Sequence, residues 1–237
     1  MRFLLITTLL LSFYASFSQA HISSDSTWKR DEYKGLNFIK GIRLELGFNR
    51  LMNNPTEYNT RFWPSKGVNI GYYCIIPLVS KMLSLSPGLN LGLDNYSFER
   101  RNTRLIPTQD TVYTFLVDVP DHNYQKSKLA LTYLDVPVEL IFRSKLNTSK
   151  VFKIAIGGKV GILLKSHTKV KYEANGVTTR DKISTDFHIN RWRYGLTARV
   201  GYGLWSVFGY YQLNNLFKEG YAPDMTPVLV GLAWSIH

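Results

Sequence analysis

The chain has 237 residues, 14% of them aromatic, and a formal net charge of +12 at pH 7. That length fits one all-β domain, and the aromatic content favours strands and membrane-interface positions. The positive charge is compatible with a nucleic-acid partner, but the sequence has no zinc-finger spacing, RNP-like run or basic helix, so we expect none. Cys74 is the only cysteine, which excludes an intramolecular disulfide and a cysteine-based metal site.

The N-terminus has the pattern of an export signal. Arg2 precedes an apolar run from Phe3 to Phe17, and Ser18-Gln19-Ala20 follows. This pattern predicts a secretory signal peptide that is cut after Ala20. No later apolar run has the length of a membrane helix, so insertion into a membrane would require a closed barrel. We expect three segments: a signal peptide (1–20), a periplasmic lead-in (21–40) and an outer-membrane β-barrel domain (41–237).

Eight segments alternate apolar and polar residues with the period of two that places side chains on opposite faces of a strand. The clearest, Leu83–Asp94, has mostly leucine at odd positions and small polar residues or glycine at most even ones. An apolar outward face and a small polar inward face are typical of membrane barrel strands. The predicted strands are Gly41–Asn49, Gly67–Pro77, Leu83–Asp94, Leu129–Arg143, Phe152–Lys165, Arg191–Gly203, Ser206–Leu213 and Pro227–Ile236.

The gaps between these strands are 17, 5, 34, 8, 25, 2 and 13 residues long, so long and short gaps alternate. Outer-membrane barrels have short periplasmic turns, long outward loops and an even number of strands. The pattern therefore predicts an all-β fold, an eight-stranded antiparallel up-and-down transmembrane β-barrel with short periplasmic turns and long extracellular loops. We expect it in the cell outer membrane.

The same alternation predicts the orientation of particular side chains in the fourth and fifth strands. In the fourth strand the apolar residues are odd-numbered up to Tyr133 and even-numbered from Val136. We interpret this change as a β-bulge near Leu134-Asp135 that keeps the apolar residues on one face, with Tyr133 in an outer aromatic girdle. In the fifth strand the alternation turns Lys165 inward.

The inward charges predict a filled lumen. An eight-stranded barrel is just wide enough for side chains to fill, and buried charges need partners. We therefore expect a salt-bridged polar plug, with a conducting pore as the alternative. The predicted luminal charge network consists of Arg43, Glu45, Asp135, Glu139, Lys153, Lys159, Arg193 and Arg199.

The predicted outward loops carry basic residues. Basic groups at the outer rim are suited to the phosphates of lipopolysaccharide, because such pairs form charge-assisted hydrogen bonds. Ordinary solvated loops are the alternative. The basic residues that we expect to face lipopolysaccharide are Arg100, Arg101, Arg104, Lys169 and Lys171.

One loop contains residue types found in hydrolases and acyltransferases. Ser166 and His167 are adjacent, and Asp186 and His188 follow in the same loop. No nucleophile-elbow or metal-binding helix motif fixes their geometry. We therefore assign no catalytic residue, no metal site and no cofactor, and we expect a protein that is not an enzyme.

Five stretches resemble a known family. They are SPGLNLGL (Ser86–Leu93), YLDVPVEL (Tyr133–Leu140), GGKVGILL (Gly157–Leu164), RYGLTARVGYG (Arg193–Gly203) and VLVGLAWSI (Val228–Ile236). From Gly41 to Ile236 the chain resembles the PorT-like outer-membrane β-barrel proteins of Bacteroidetes. The resemblance implies an outer-membrane barrel, and one branch of that family serves type IX secretion and gliding.

The functional hypothesis is an integral outer-membrane barrel with a structural or secretion and envelope-assembly role, of which a type IX component is the narrower form. The alternatives are a narrow channel, a barrel that binds a small polar solute or lipopolysaccharide, a rim enzyme, and a soluble periplasmic barrel with the leucines inside. The expected partners are outer-membrane lipid and lipopolysaccharide, the barrel assembly machinery during biogenesis, and proteins of a secretion complex.

Overall fold

The computed structural model describes residues 39–78, 82–99, 103–106, 115–118, 123–144, 151–174, 177–184 and 187–236. The predicted signal peptide lies outside these residues, as does the lead-in apart from its last two residues. Within the described ranges, no helix combines the length and the apolar character that crossing a membrane requires.

Strands dominate the described part of the chain, with one turn of 3-10 helix at Thr56–Tyr58. The strands are β1 (Ile39–Met52), β2 (Lys66–Pro77), β3 (Leu83–Ser97), β4 (Thr103–Ile106), β5 (Phe115–Asp118), β6 (Asn123–Arg143), β7 (Phe152–Ala174), β8 (Val177–Ile183), β9 (Trp192–Tyr202), β10 (Trp205–Gln212) and β11 (Thr226–Ile236).

Eight of these strands form a closed antiparallel ring in the order β1-β2-β3-β6-β7-β9-β10-β11, with β11 paired back to β1. The three remaining strands lie outside the ring order. β4 and β5 form a separate hairpin, and β8 pairs with the C-terminal part of β7. The predicted eight-stranded up-and-down barrel is confirmed, and each ring strand overlaps one of the eight predicted segments. Two strands are much longer than predicted: β6 begins six residues earlier and β7 ends nine residues later, within segments predicted to be loops.

The connections alternate in length around the ring, as the sequence predicts. The β2–β3, β6–β7 and β9–β10 connections are short and lie at one end of the barrel, which we call the short-turn end. The β9–β10 hairpin has two turn residues, and the first, Gly203, has φ 63°. A type II′ turn requires a positive φ at this position, which favours glycine. The other end, where β4, β5 and β8 occur, is the long-loop end.

Exposure alternates along every strand of the ring. The exposed outer side chains are mostly apolar, and the polar and charged side chains in the middle of the ring strands are mostly inside. Ile156 is 60% exposed, whereas Glu139 is 1% exposed. Trp192 and Tyr202 lie at opposite ends of β9, and both are exposed on the outside, as in the aromatic girdles of membrane barrels. This distribution is the reverse of a water-soluble sheet protein, which buries its apolar face.

The prediction of a bulge near Leu134-Asp135 in the fourth strand is wrong. The odd-numbered residues of β6 are buried from Ser127 to Ile141, and they include Leu131, Tyr133 and Asp135. Tyr133 is 1% exposed and belongs to the interior, not to the outer girdle. The prediction failed because apolar residues were assigned to the lipid face, whereas this part of the barrel interior is also apolar.

The β6–β7 ladder has two register shifts: one leaves Gln125 of β6 without a partner across the ladder, and the one near the predicted position lies in β7. Thr132 pairs with Lys165 and the next residue, Tyr133, pairs with Leu163, so Leu164 has no partner across the ladder. A bulge of this kind changes the facing of the residues that follow it. Lys165 is consequently exposed on the outer face, and the prediction that it faces the lumen is wrong.

Apolar side chains close the long-loop end of the lumen. We call this buried cluster the loop cap. Two isolated bridges, Thr60 to Phe98 and Ile189 to Phe217, tie its loops together. The cap consists of Leu51, Tyr58, Tyr96, Phe98, Leu105, Leu129, Leu131, Tyr133, Phe187, Ile189, Leu216, Phe217, Ala222 and Met225.

The outward orientation of Ile156 generates a first prediction. Replacing Ile156 with lysine places a charge on the middle of the outer face, which costs about 2–4 kcal/mol if that face contacts hydrocarbon. We expect Ile156→Lys to reduce the heat-modifiable folded band in the outer-membrane fraction strongly, and Ile156→Val to leave it at the wild-type level. Equal amounts of folded band from the two variants would contradict a lipid-facing Ile156.

Candidate functional site: the luminal charge network

Arg193, on β9, is the centre of one half of the luminal network. Its Nε and Nη2 donate to the two carboxylate oxygens of Asp135 at 2.8 and 2.6 Å, and its Nη1 donates to Asp94 at 2.6 Å. The guanidinium carbon lies 3.8 Å from the ring centroid of Tyr133. A bidentate carboxylate pair with an aromatic face against the cation fixes the arginine in one orientation.

Lys159 and Asn49 complete this half. The Lys159 ammonium lies 3.5 Å from the second oxygen of Asp135 and 3.8 Å from the ring centroid of Tyr210. Asn49 donates from its amide to Asp94 at 3.1 Å. Asp135 therefore serves two cations, and Asp94 serves one cation and one amide.

The other half lies nearer the short-turn end and contains two arginines. Arg199 donates from Nη2 to Glu45 at 2.6 Å and to Glu139 at 3.1 Å. Arg43 donates from Nη1 to Glu139 at 2.9 Å and from Nε to the Ser235 hydroxyl at 3.2 Å. Asn69 donates to the second oxygen of Glu45, and the Arg43 guanidinium stacks over the ring of Tyr73.

The buried charges in the two halves are balanced. Taking ions out of water is unfavourable unless each finds a partner of opposite sign and further hydrogen bonds. Here each buried cation contacts at least one buried carboxylate on a different strand, and several of these contacts reach across the lumen. The buried cations are Arg43, Lys159, Arg193 and Arg199, and the buried carboxylates are Glu45, Asp94, Asp135 and Glu139.

The structure places seven of the eight predicted luminal residues in this network. The exception is Lys153, which lies opposite Arg143 at the short-turn end of the β6–β7 ladder. No salt bridge joins either of these two cations to an acid among the described residues. Sequence reasoning missed Asp94 as a network member, although its position on the small polar face of Leu83–Asp94 indicated an inward side chain.

The gap that remains in the lumen at the short-turn end is small. A cavity of about 30 Å³ is lined there by Arg43, Arg143, Lys153 and Arg199, together with turn residues. Nε of Arg143 and of Arg199 and Nη1 of Arg199 have no partner in the described part of the chain. A cavity of this size has room for one or two water molecules, which would satisfy such donors. It has no room for a solute.

A much larger concave surface lies elsewhere, on the outside of the barrel. It encloses about 840 Å³ and is lined by outward residues such as Leu140, Ile156 and Leu196. Since these residues belong to the apolar outer face, this surface is part of the face that contacts lipid and not part of the lumen.

The network also depends on small residues beside it. A Cβ atom on Gly161 would lie against Oδ1 of Asp135, and one on Gly92 would lie 2.7 Å from Nη2 of Arg193. By contrast, nothing lies within 4 Å of the Cβ position of Gly209, which is on the outer face. The glycines at 92 and 161 therefore make room for the central pair.

The residues considered for catalysis are not assembled. Ser166 pairs with Leu131 and His167 with Ala130 in the β6–β7 ladder, so the two side chains leave opposite faces of β7. His188 stacks on Tyr221, with ring centroids 4.1 Å apart, and Asp186 lies outside the described residues. No group of three or more metal-binding side chains occurs in the ranges that the structure describes.

The predicted lipopolysaccharide-facing residues are only partly within the described set. Arg100 and Arg101 lie outside it, and only the backbone of Arg104, in β4, is described. Lys169 and Lys171 lie on β7, not on a loop, and their side chains are on its outer face beyond Leu164.

The comparison with known families agrees with the closed ring and the outward apolar face. The family described as "Outer membrane protein beta-barrel domain" matches residues 9–220. The chain belongs to this family. It is an outer-membrane barrel, so the short-turn end is the periplasmic end and the long-loop end is the outer end. The narrower placement among PorT-like proteins of Bacteroidetes stays a prediction.

Curated proteins give no match, but solved structures give several. The chain is similar to Ail of Yersinia pestis in complex with the heparin analogue sucrose octasulfate, at 12% identity and a TM-score of 0.35, covering 83% of this chain and 97% of that one. It is also similar to a triple mutant of Rhodopseudomonas blastica porin, at 9% identity and a TM-score of 0.21, covering 84% and 100%. No functional inference follows from likenesses of this strength.

The unequal roles of the two aspartates in this outer-membrane barrel give a second prediction. Asp135→Asn leaves both Arg193 and Lys159 short of a partner, and breaking a buried pair in this way costs about 3–5 kcal/mol. Asp94→Asn should cost less, because Arg193 keeps its bidentate partner. We expect this order in urea unfolding of the refolded protein, followed by the loss of the folded band. The reverse order would show that Asp135 is not the shared acceptor.

The glycines provide a third prediction. Gly161→Ala should lower the free energy of unfolding by about 1–3 kcal/mol, the usual range for overpacking, because the methyl group displaces Asp135. Gly209→Ala adds the same methyl group to the open outer face and should stay within about 0.5 kcal/mol of wild type. Equal stability of the two variants, in the same urea titration, would argue against a tightly packed network.

Proposed function

We propose that this chain is a closed structural barrel of the outer membrane with a role in envelope assembly, and that it neither conducts solutes nor catalyses a reaction. The observation that carries the proposal is the filled lumen. Four buried cations and four buried carboxylates occupy its middle, and the loop cap covers its outer end.

The two layers block the lumen in different ways. The charge network fixes side chains from β1, β3, β6, β7 and β9 against one another, so no single rotation opens a path. The loop cap then adds a layer of buried aromatic and aliphatic side chains, which water and ions cross poorly. A solute entering from the periplasm would meet the cavity of about 30 Å³ and then the Arg199 pairs.

The rival functions have less support. A narrow channel or a luminal solute site would require a cavity in the middle of the barrel, where the ion pairs lie instead. A rim enzyme built on Ser166 and His167 is disfavoured because the two side chains leave opposite faces of β7.

Within envelope assembly, we propose a part in type IX secretion as the narrower role. Its support is the resemblance of five strand segments to PorT-like barrels. The loop cap would then serve as a rigid platform for secretion-complex proteins at the cell surface. Crosslinking in whole cells, followed by identification of the linked proteins, tests this role, and recovery of lipid alone would count against it.

The closed lumen gives a fourth prediction. Wild-type protein in planar lipid bilayers should show no discrete conductance steps at either polarity, because no continuous water path crosses the barrel. A variant with Arg193→Ala and Arg199→Ala loses the central side chains of both halves and serves as the comparison, provided that it still yields a folded band. Reproducible conductance steps from the wild-type protein would refute the closed barrel and favour a channel.

A further inference from the structure

The outer face of β6, β7 and β8 carries a dense set of cations just beyond the apolar band. These strands extend past the ring, because the C-terminal part of β7 pairs with β8 and not with β9. We call this set the basic face. Its members are Lys126, Lys128, Lys165, Lys169, Lys171, Arg180 and Lys182, all exposed or half-buried.

The register places these cations directly opposite one another in two rows. In the row nearer the membrane, Lys128 pairs with Lys169, and Lys169 pairs with Lys182 on the next strand. In the other row, Lys171 lies between Lys126 and Arg180. Like charges that face each other across a ladder destabilise a sheet, so each row has an unfavourable arrangement of three cations on adjacent strands.

No member of these rows, or of the basic face as a whole, forms a salt bridge with an acid within the described side chains. Glu173, the next outward residue of β7 after Lys171, accepts a hydrogen bond from Gln125 at 3.2 Å. The basic face is thus an arrangement that an external anion would stabilise.

Two titratable groups report the local potential, and both lie beyond the apolar band. Burial lowers the pKa of Lys128, and the neighbouring Lys126, Lys66 and Lys169 lower it further. Burial also lowers the pKa of His167, with additional lowering by Lys169, Lys182 and Lys165. The cations that lower these two pKa values include members of the basic face from β6, β7 and β8.

The height of the basic face matches one particular layer of the membrane. Val160, Ile162 and Leu164 are the last outward apolar residues of β7. Lys165 follows immediately on the same side because of the bulge at Leu164. Trp63 lies on the outside near Lys66, whose ammonium is 5.8 Å from its ring centroid, and tryptophan is typical of the membrane interface. Cations at this level face lipid headgroups.

We propose that the basic face binds the phosphate groups of outer-leaflet lipopolysaccharide. Each row offers three cationic groups on adjacent strands, and strands in a sheet are about 4.8 Å apart, so one phosphate can accept charge-assisted hydrogen bonds from more than one side chain. The bound phosphates would offset the repulsion within the rows. Phosphate binding on the basic face is independent of the closed lumen, because the basic face is on the outer side of the barrel wall.

The test uses full-length protein refolded into phosphatidylcholine vesicles, with or without diphosphoryl lipid A as the probe. The test variant combines Lys128→Gln with Lys169→Gln, which removes one opposed pair of lysines from the row nearer the membrane. The matched control is Lys40→Gln with Arg61→Gln, which removes two exposed charges that are not in the basic face. The temperature at which the folded band disappears on a gel measures stability.

We expect lipid A to raise this temperature for the wild type and the control, and to raise it much less for the Lys128 and Lys169 variant. In a titration with lipid A, the apparent affinity of that variant should be weaker than that of wild type by about tenfold or more, because two charge-assisted contacts are lost. Without lipid A, the same variant should be at least as stable as wild type, since a repulsive pair has been removed. If the basic face only contacted water, the stability of this variant relative to wild type would be the same with and without lipid A.

Three results would overturn the proposal. The first is an equal gain in stability for both variants in lipid A. The second is an equal gain from dephosphorylated lipid A, which would assign the effect to the acyl chains. The third is an equal gain from inorganic phosphate at the same phosphate concentration, which would assign it to a free anion and not to a lipid headgroup.

Discussion

The pairing of β11 with β1 is the constraint on which the structure depends. In hydrocarbon an unpaired backbone N–H or C=O costs several kcal/mol, so a membrane sheet must have no free edge. The β1–β11 ladder begins where Ile42 pairs with Ile236 and ends where Met52 pairs with Thr226, and it removes the last edge of the ring. Once the sheet is closed, successive side chains along each strand point alternately toward lipid and toward a narrow interior.

The width of that interior determines the chemistry inside it. Eight strands leave space for side chains but not for a water channel, so charged residues that point inward must pair with one another. Arg193 with Asp94 and Arg199 with Glu45 meet this requirement by joining strands that lie three positions apart in the ring. Glycines such as Gly161 provide the space that these pairs need. A lumen organised in this way is suited to rigidity, and the proposed structural role follows from that property.

The extension of β6 and β7 beyond the membrane has two separate consequences. On the inner side it brings Leu129, Leu131 and Tyr133 into the loop cap. On the outer side the bulge at Leu164 changes the phase of β7, so that Lys165 and Lys169 face outward beyond the apolar band. One irregularity in one strand thus separates the apolar band from the basic face.

The sequence by itself determined the strand number, the alternation of short turns with long loops, and seven of the eight predicted luminal residues, because these follow from period-two patterns that extend over whole strands. Only the tertiary structure decided the facing of Tyr133 and Lys165. An apolar residue satisfies the pattern equally well against lipid or inside a loop cap, and a bulge in β7 leaves no signal in its composition. Asp94 was likewise assigned to the network only by its contact with Arg193, since sequence alternation gives a direction but not a partner.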